Sequence, residues 1–505
     1  MLKVRRVLIS IWDKTGIVEF SQRLKKLRME IISTGKTAQL LRKNGIEVKS
    51  VSEVTSFPEI LSGRVKTLHP KIFGAILANK KHPLHMEEIR NLQIEPIDMV
   101  VVSFYPFSKM CKERLTFDEI LEYIDIGGPS LLRAGAKNFK NVACVSSSHQ
   151  YKRIIEELER NDGRLSENTL RELSCEAFRR TREYDTQIYN FLSNKGILMW
   201  DLEEIFKLRY GENPHQQAGL YKLVGEENLE FKKLQGKELS FNNLLDLNVV
   251  LSLLKEFKEP CSVIIKHSSP SGVGVDKELF KAYLKAYNAD ALSSFGGIIG
   301  VNRKVDGRTA QQIVKTGFKE CIIAPGYSKE ALRLFSSMKR FRVIEANFNK
   351  EEQGKDIRKT SFGYLIQDRD NLDISGREDL KVVTQKKPTP QQLNNLIFAW
   401  KVAKFVKSNA IVIAKNMATL GIGGGQPSRV GAVKIAIEKS RRSTKGAVLA
   451  SDGFFPHPDS IELIKKHEIK AIIQPGGSIK DKEIIRLCDK FNLSMVFTTI
   501  RHFRH

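Results

Sequence analysis

Short apolar runs alternate with amphipathic stretches through the first 160 residues of the chain. The runs RRVLISI, EIIST, DMVVVSFYPF and NVACVSS predict buried β-strands, and the segments between them have apolar residues at helical spacing. Strands that alternate with helices of this length indicate βαβ units and a parallel sheet. The pattern therefore predicts an α/β domain over residues 1–150, with ligands bound at the carboxyl ends of its strands.

The second part of the chain shows a similar mixture of strands and helices. Residues 165–195 predict one long amphipathic helix, and we expect residues 151–197 to form a helical linker to residues 198–505. Two stretches of that region, CSVIIKHSSPSGVG and NAIVIAKNMATLGIGGG, each run from a strand through a lysine and a polar residue to a glycine turn. They suggest an internal duplication into two subdomains that divide near residues 370–390. In the first stretch the turn is expected at Pro270 and Gly272.

Composition narrows the class of protein. The chain has 505 residues, 41% of them hydrophobic, and no apolar run approaches the about 18 residues that span a bilayer. The N-terminus lacks a signal-peptide cleavage site, so we expect a cytoplasmic protein without a membrane partner. Six cysteines stand singly, and neither Cys-x-x-Cys nor His-Glu-x-x-His occurs, which predicts buried, reduced thiols and no metal site.

The charge of the chain raises the question of nucleic-acid binding. The formal net charge is +25 and the isoelectric point is about 9.6. The lysines are spread along the whole length, and no RRM, KH or zinc-finger signature occurs. We therefore expect no nucleic-acid partner and a surface suited to small anionic substrates. A nucleic-acid-associated protein remains the alternative from another class.

Hydroxyls and lysines cluster at two strand-to-helix junctions of the first domain. Ser10 and Lys14 lie at the first junction, and Thr34 and Thr37 lie at the second. Free backbone N–H groups and the positive end of a helix dipole favour an anion there, most simply a phosphate. Further groups at sheet-end loops would supply cations, an acid and a base: Arg64, Lys66, Thr67, Tyr105, Asp125 and Lys137. The alternative for the stretch GRVKTLHP is a solvated basic loop.

The adjacent Lys266 and His267 close an apolar strand in the second region. Such a pair suits acyl transfer, in which the histidine moves a proton and the lysine stabilises a negative oxygen. A hydrogen-bonded surface histidine is the alternative interpretation. Arg209 could hold a phosphate bidentately, and Asn409 lies at another strand edge. The stretches SSFGG and SDGFFP could line a flat aromatic slot.

Eleven ordered motifs resemble a known family along the whole chain. They are GRVKTLHP, FYPF, IDIGG, LLRAGAKN, LRYGENPHQQA, IIKHSSPSG, SSFGG, IIAPGY, KSNAIVIAKN, GIGGGQPSR and SDGFFP. Their order is similar to that in bifunctional purine-biosynthesis proteins, which combine AICAR (phosphoribosylaminoimidazolecarboxamide) formyltransferase with IMP cyclohydrolase. The resemblance implies a methylglyoxal-synthase-like N-terminal domain and a transformylase region of two cytidine-deaminase-like subdomains. It also implies a homodimer with transformylase sites at the interface, and no metal.

The resemblance implies roles for residues of the transformylase region. His267 would take the proton of the AICAR amine, Lys266 would stabilise the oxyanion, and Asn409 would orient the carboxamide and formyl groups. The formyl donor would be the cosubstrate 10-formyltetrahydrofolate. Nucleotide-binding positions would be Arg209, Tyr210, Asn243, Phe454 and Arg501, and folate-binding positions would be Gly296, Glu320, Pro456 and Asp459.

The resemblance also implies roles in the cyclohydrolase domain, which would convert formyl-AICAR to IMP. The phosphate cradle would consist of Ser10, Lys14, Thr34 and Thr37. The nucleotide would be held, and its formyl oxygen polarised, by Arg64, Lys66 and Thr67. Proton transfer would fall to Tyr105, Asp125 and Lys137, and which of these is acid or base stays open.

Several residues depart from the family pattern, most of them in or near the cyclohydrolase site: Trp12, Lys36, Phe73, Ser103 and His457. A transformylase whose N-terminal domain has lost cyclisation is therefore the alternative activity.

Overall fold

The structure, a computed structural model, describes residues 1–193, 196–198, 200–224, 231–348, 354–372, 374, 376–440 and 443–505. The chain divides into unit 1, Met1–Met199, and unit 2, Trp200–His505. No helix within the described ranges is long and apolar enough to cross a membrane.

Unit 1 alternates strands and helices, as the hydrophobic pattern predicts. Its strands are β1 (Leu2–Lys3), β2 (Arg6–Ile11), β3 (Glu30–Ser33), β4 (Lys49–Ser50), β5 (Met99–Ser103), β6 (Ala143–Val145) and β7 (Arg164–Leu165). Its helices are α1 (Ile17–Lys26), α2 (Gly35–Lys43), α3 (Val51–Thr55), α4 (Pro70–Leu77), α5 (Pro83–Asn91), α6 (Phe107–Met110), α7 (Phe117–Leu121), α8 (Gly127–Lys137), α9 (Tyr151–Arg160) and α10 (Glu167–Ser193). Short 3₁₀ turns lie at Leu61–Gly63 and Ser148–Gln150.

The main sheet of unit 1 is parallel, with the order β4-β3-β2-β5-β6. Helices cover both faces. One face packs apolar residues of α1, α2 and α9, and the other packs those of α4 and α8. Burial on both faces explains why its strands are continuous apolar runs. The expected parallel α/β domain is confirmed.

The long helix α10 belongs to unit 1 and packs against α8 and β6. Its buried side chains recur at helical spacing, from Leu170 and Leu173 through Ala177 to Thr181 and Tyr184. The segment is therefore part of the fold of unit 1 and contributes to its core. The last two residues of the predicted helix, 194 and 195, lie outside the described residues.

Unit 2 also mixes strands and helices. Its strands are β8 (Leu202–Leu208), β9 (Ala218–Leu223), β10 (Phe231–Gln235), β11 (Cys261–Lys266), β12 (Ser269–Val275), β13 (Ile298–Val301), β14 (Cys321–Ala324), β15 (Arg342–Ala346), β16 (Lys355–Thr360), β17 (Gly363–Asp368), β18 (Lys381–Val382), β19 (Ile411–Lys415), β20 (Ala418–Gly423), β21 (Val448–Ser451), β22 (Ala471–Gln474) and β23 (Ser494–Phe497). Its helices are α11 (Phe241–Lys255), α12 (Leu279–Ala289), α13 (Gly307–Lys315), α14 (Lys329–Ser336), α15 (Pro390–Ala403), α16 (Arg429–Lys439), α17 (Asp459–Lys466) and α18 (Asp481–Lys490), with a 3₁₀ turn at Arg377–Asp379.

Twelve strands of unit 2 form one sheet, in the order β10-β15-β14-β13-β11-β12-β20-β19-β21-β22-β23-β18. The order reads as two mirrored halves that meet where β12 pairs with β20 in antiparallel orientation. One face of the sheet packs α11 and α15 into a common core, and the other face carries a separate core for each half. The order of strands and helices thus repeats in the two halves, and the duplication itself stays a prediction.

The two central hairpins repeat in detail. The chain turns at His267–Ser268 in one and at Asn416–Met417 in the other, and all four residues have φ between 52° and 57°. The predicted turn at Pro270 and Gly272 is therefore wrong, because both residues lie inside β12. A shift in strand register next to Pro270 accommodates the proline, which donates no hydrogen bond to a ladder. In each repeat a glycine lets a helix approach the sheet: a Cβ would lie 1.9 Å from Ala286 O at Gly272 and 2.0 Å from Ala436 O at Gly421.

The six cysteines are free thiols. Four are buried, as expected, whereas Cys111 and Cys175 are exposed. The prediction of buried thiols is therefore wrong for those two positions.

Candidate functional site

The carboxyl edge of the unit 1 sheet brings together the predicted phosphate cradle. Lys14 Nζ donates to Thr37 Oγ1 at 2.6 Å and to the carbonyl of Ile11, at the end of β2. Burial lowers the pKa of Lys14 to about 8, with Lys36 adding to the effect and Asp13 opposing it. Thr34 precedes α2, and its side chain makes no capping hydrogen bond. The first-turn N–H groups of α2 are thus suited to an anion.

Residues of the GRVKTLHP stretch lie at the same edge. A Cβ at Gly35, the first residue of α2, would lie 3.6 Å from Lys66 Nζ, so this ammonium group lies beside the helix N-terminus. Thr67 is buried, and its hydroxyl lies close to Gly127, where α8 begins. Arg64 is exposed and forms an ion pair with Glu122. Lys66 and Thr67 therefore face helix N-termini, and the alternative of a fully solvated basic loop applies to Arg64 alone.

Asp125 is fixed at the start of α8. Its Oδ1 accepts the N–H of Gly128 at 2.8 Å, and its own N–H donates to the hydroxyl of Tyr184 at 2.7 Å. Burial raises the pKa of the Asp125 carboxyl, and the backbone N–H groups of Gly128, Tyr105 and Gly127 oppose that effect. A carboxyl with a raised pKa next to a tyrosine is suited to proton transfer.

Lys137 does not join this group. It ends α8, eleven residues long, and α8 begins beside Asp125, so the two lie about 15 Å apart along the helix axis. The chain then enters β6 from the amino edge of the sheet, and Lys137 is exposed there. Within one protomer Lys137 and Asp125 therefore lie at opposite edges of the sheet, because they flank the two ends of one helix, and the role of Lys137 stays a prediction.

Two residues that depart from the family pattern meet at the ends of β2 and β5. The Trp12 and Tyr105 rings lie 5.0 Å apart with an edge-on geometry. Ser103 Oγ accepts the backbone N–H of Trp12 at 2.8 Å and that of Asp13 at 3.1 Å. The small hydroxyl therefore supports the loop that presents the indole to Tyr105.

A cavity of about 600 Å³ extends from this aromatic pair, and sequence reasoning missed it. It continues past the end of β6 to α10. Its polar lining includes Lys109, Lys112, Ser147, His149, Arg180 and Glu183. These residues come from three separate segments, so no local pattern in the sequence points to a shared site.

The predicted transformylase residues of unit 2 lie along one edge of the twelve-stranded sheet. The turn at His267–Ser268 closes β11, and β13 and β14 begin at this edge because β13 is antiparallel to β11. Gly296 and Glu320 precede those two strands. Across the junction of β12 and β20 the same edge carries the start of β19 and the ends of β21 and β23. Five further predicted transformylase residues therefore lie at the same edge, next to the ends of these strands: Asn409, Phe454, Pro456, Asp459 and Arg501.

Lys266 and His267 occupy the centre of this edge. Lys266 is half-buried, and its Nζ donates to the carbonyl of Phe295 at 2.8 Å. His267 is exposed in the turn, and both residues border a small cavity of about 150 Å³. Gly296 N donates to Phe318 O at 3.1 Å, and Glu320 pairs with Arg342 at 2.6 Å. The pair therefore lies next to the predicted folate positions of its own half.

The residues of the other half group around Asp452. This carboxylate is fully buried and pairs with Arg429, and it also accepts the hydroxyl of Ser408. Asn409 follows Ser408 and donates its amide to Gln426 O at 2.8 Å. Phe454 is exposed, and Arg501 lies over the ring of Phe503, 4.2 Å from its centroid. The remaining predicted folate positions, Pro456 and Asp459, lie where α17 begins, and next to them His457 Nδ1 lies 3.0 Å from Lys480 Nζ.

The Arg209–Tyr210 loop lies near the start of α11. The Arg209 guanidinium donates to the hydroxyl of Tyr210 at 3.0 Å, and Asn242 Nδ2 reaches Glu212 O at 3.3 Å. Asn243 is buried, and its Oδ1 accepts the N–H of Ser240 in a capping box. Its carbonyl oxygen is thus engaged in helix capping, which sequence reasoning missed although Ser240 three residues before is the signal for it.

The chain was compared with known proteins. A family model described as AICARFT/IMPCHase bienzyme matches residues 135–439, more than half of the chain. The chain belongs to this family. A model described as MGS-like domain matches residues 16–130, which agrees with the parallel sheet of unit 1.

Relatives of this family match over nearly the whole chain. A protein of Caldicellulosiruptor saccharolyticus is 47% identical over 99% of this chain and all of its own length. Proteins of Thermoanaerobacter sp. and Bacillus cereus are 46% and 45% identical with the same coverage. All three bear the name "Bifunctional purine biosynthesis protein PurH".

Proposed function

We propose that this protein catalyses two consecutive steps of IMP formation. The first transfers a formyl group from 10-formyltetrahydrofolate to AICAR, and the second closes the ring of formyl-AICAR with loss of water. The observation that carries this proposal is the similarity to bifunctional relatives over 99% of the chain, with 47% identity. Incubation with AICAR and the folate, with tetrahydrofolate and IMP followed separately, tests both steps.

Formyl transfer takes place at the His267 edge of unit 2. The AICAR amine attacks the formyl carbon, the bond to the folate nitrogen breaks, and His267 carries the proton from the amine to that nitrogen. Lys266, held by Phe295 O, stabilises the negative oxygen of the tetrahedral intermediate. Asn409 orients the carboxamide. The nucleotide is held by Arg209, Tyr210, Asn243, Phe454 and Arg501, and the folate by Gly296, Glu320, Pro456 and Asp459.

Ring closure takes place at the carboxyl edge of unit 1. Ser10, Lys14, Thr34 and Thr37 hold the phosphate at the N-terminus of α2. Lys66 polarises the formyl oxygen, and Arg64 and Thr67 bind the nucleotide. The carboxamide nitrogen then attacks the formyl carbon, and Asp125 and Tyr105 transfer the protons that let water leave. A proton-transfer role for Lys137 stays a prediction, since within one protomer this side chain lies at the other end of α8 from Asp125.

The protein acts as a homodimer whose transformylase sites combine two subunits. Three strand spacings separate β11 from β19 in the sheet, or about 14 Å, so His267 and Asn409 of one protomer are far apart for one formyl group. A groove of about 1,710 Å³ with many apolar side chains runs along β8, β9 and α11. Its exposed residues include Ile205, Tyr221 and Leu245, which a second copy of the chain would cover.

Mixed dimers test this arrangement. We expect His267→Ala and Asn409→Ala to be inactive alone in formyl transfer. After the two are co-expressed with different tags, a heterodimer should contain one intact site, so an equal mixture regains about a quarter of the wild-type activity. No recovery in purified heterodimers would show that each site lies within one protomer.

The protein is cytoplasmic, uses 10-formyltetrahydrofolate as cosubstrate, and needs neither a metal nor a nucleic acid. Each proposed step needs only side chains and the two substrates. Cyclisation should therefore continue in the presence of a chelator.

A further inference from the structure

The two repeats of unit 2 hold their hairpin turns in the same way. His267 and Ser268 are both in the left-handed region, as are Asn416 and Met417, which is the geometry of a two-residue type I′ turn. Non-glycine residues adopt this conformation at a cost, so the surrounding structure must hold it. Lys266 Nζ and Lys415 Nζ each donate to a carbonyl at 2.8 Å, at Phe295 and at Lys445.

The acceptor that holds each turn comes from the helix that precedes the hairpin. In the first repeat Asp246 Oδ1, on α11, accepts the N–H of Ser268 at 2.5 Å. In the second repeat Asn395 Oδ1, on α15, accepts the N–H of Met417 at 2.8 Å. The two acceptors occupy corresponding places and make the same backbone contact. Sequence reasoning missed Asp246, because its partner is 22 residues away.

The repeats differ in charge at this position. The carboxylate of Asp246 contacts the turn that carries the His267 imidazole. The neutral amide of Asn395 contacts the turn that carries Asn416. Since Asn395 holds its turn without charge, the negative charge of Asp246 is not needed to hold the backbone. Burial raises the pKa of Asp246, and the N–H groups of Ser268 and His267 and the charge of His267 oppose that effect. The first repeat therefore places a carboxylate in contact with the turn that carries His267, at the position where the second repeat has an amide.

The other charged groups around His267 do not substitute for Asp246. The small cavity that His267 borders is also lined by Lys266, Asp290 and Lys439. Two of these, Lys266 and Lys439, are cations and offer no negative charge to offset an imidazolium. Asp290 instead accepts from the backbone N–H and the hydroxyl of Ser293 at 3.0 and 2.6 Å. Asp246 is therefore the carboxylate that contacts the turn itself.

We propose that Asp246 is a positioning residue for formyl transfer: it fixes the turn that presents His267 and stabilises the imidazolium that forms there. This inference rests on the proposed function. As the C–N bond to the amine forms, His267 accepts the amine proton, and Asp246 offsets the new positive charge. The C–N bond to folate then breaks, its electron pair stays on the folate nitrogen, and His267 returns the proton to that nitrogen. The cycle leaves both side chains unchanged.

The test replaces the charge and keeps the hydrogen bond. We expect Asp246→Asn to lower kcat of formyl transfer by about 10- to 100-fold, because the imidazolium loses its counter-charge. KM for AICAR should stay within about twofold, since the turn keeps the amide acceptor that Asn395 provides in the other repeat. The acid limb of the kcat–pH profile should move to lower pH, because loss of a nearby negative charge makes the base harder to protonate. A purely structural role would not move that limb.

Matched controls separate the outcomes. Asn395→Asp adds the charge at the corresponding place in the second repeat and should leave kcat and the pH profile unchanged. An unchanged kcat for Asp246→Asn would overturn the proposal, as would an Asp246→Asn protein that fails to fold or raises KM and lowers kcat together. A wild-type protein that releases no tetrahydrofolate would instead overturn the proposed function itself.

Discussion

Replacing His267 by alanine is expected to lower formyl transfer by about 10²- to 10⁴-fold, the range that a positioned general base contributes. The aromatic amine of AICAR is a weak nucleophile, so its attack depends on removal of its proton. Stability should change little, because the side chain is exposed in the turn. Release of tetrahydrofolate from 10-formyltetrahydrofolate in the presence of AICAR measures the effect.

Two controls apply to this prediction: a reaction assigned to unit 1 and a matched variant in unit 2. His267→Ala should leave conversion of supplied formyl-AICAR to IMP at the wild-type rate, because ring closure uses unit 1. Asn416→Ala, at the corresponding place in the second repeat, should affect neither reaction. A His267→Ala enzyme that keeps more than about a tenth of the transfer rate would exclude a role for this residue as the base.

The second large effect is expected at Asp125. Asp125→Asn should lower the rate of ring closure by about 10²- to 10⁴-fold, because an amide cannot exchange the proton that the carboxyl transfers. Burial raises the pKa of Asp125, so its titration should contribute to the pH–rate profile of the wild-type enzyme. The amide keeps an oxygen that can accept the N–H of Gly128, which limits damage to the start of α8.

Formation of IMP from supplied formyl-AICAR, over a range of pH, tests Asp125. Asp118→Asn is a suitable control, since this carboxylate is exposed on α7. Formyl transfer should be unaffected in both variants. If Asp125→Asn leaves the pH–rate profile as it is in the wild type, Asp125 has no part in proton transfer.

The sequence contains enough information for the architecture of both units. Buried strands such as Met99–Ser103 and Ile411–Lys415 are apolar runs of the right length, and the helices between them have buried residues at helical spacing. Because alternation of strands and helices implies a parallel sheet, the sequence predicts that the junctions at Ser10 and Thr34 lie at one edge. They do so in unit 1.

Local sequence patterns do not predict contacts between residues that are far apart in the chain. The sequence predicts the turn at Pro270 and Gly272 and not at His267–Ser268, because proline and glycine are turn formers and histidine and serine are weak signals for φ above zero. Lys137 and Asp125 are close in sequence because both flank α8, yet the length of this helix separates them within one protomer. No local pattern marks Asp246, because its contact with the N–H of Ser268 depends on how α11 packs against the hairpin.

The central claim is that one chain performs both reactions, formyl transfer in unit 2 and ring closure in unit 1. The most direct measurement is a time course with AICAR and 10-formyltetrahydrofolate in which tetrahydrofolate, formyl-AICAR and IMP are quantified separately. We expect tetrahydrofolate and IMP to form in equal amounts, with formyl-AICAR only as a transient. Tetrahydrofolate that accumulates with formyl-AICAR and without IMP would contradict ring closure in unit 1, and absence of tetrahydrofolate would contradict the assignment of unit 2.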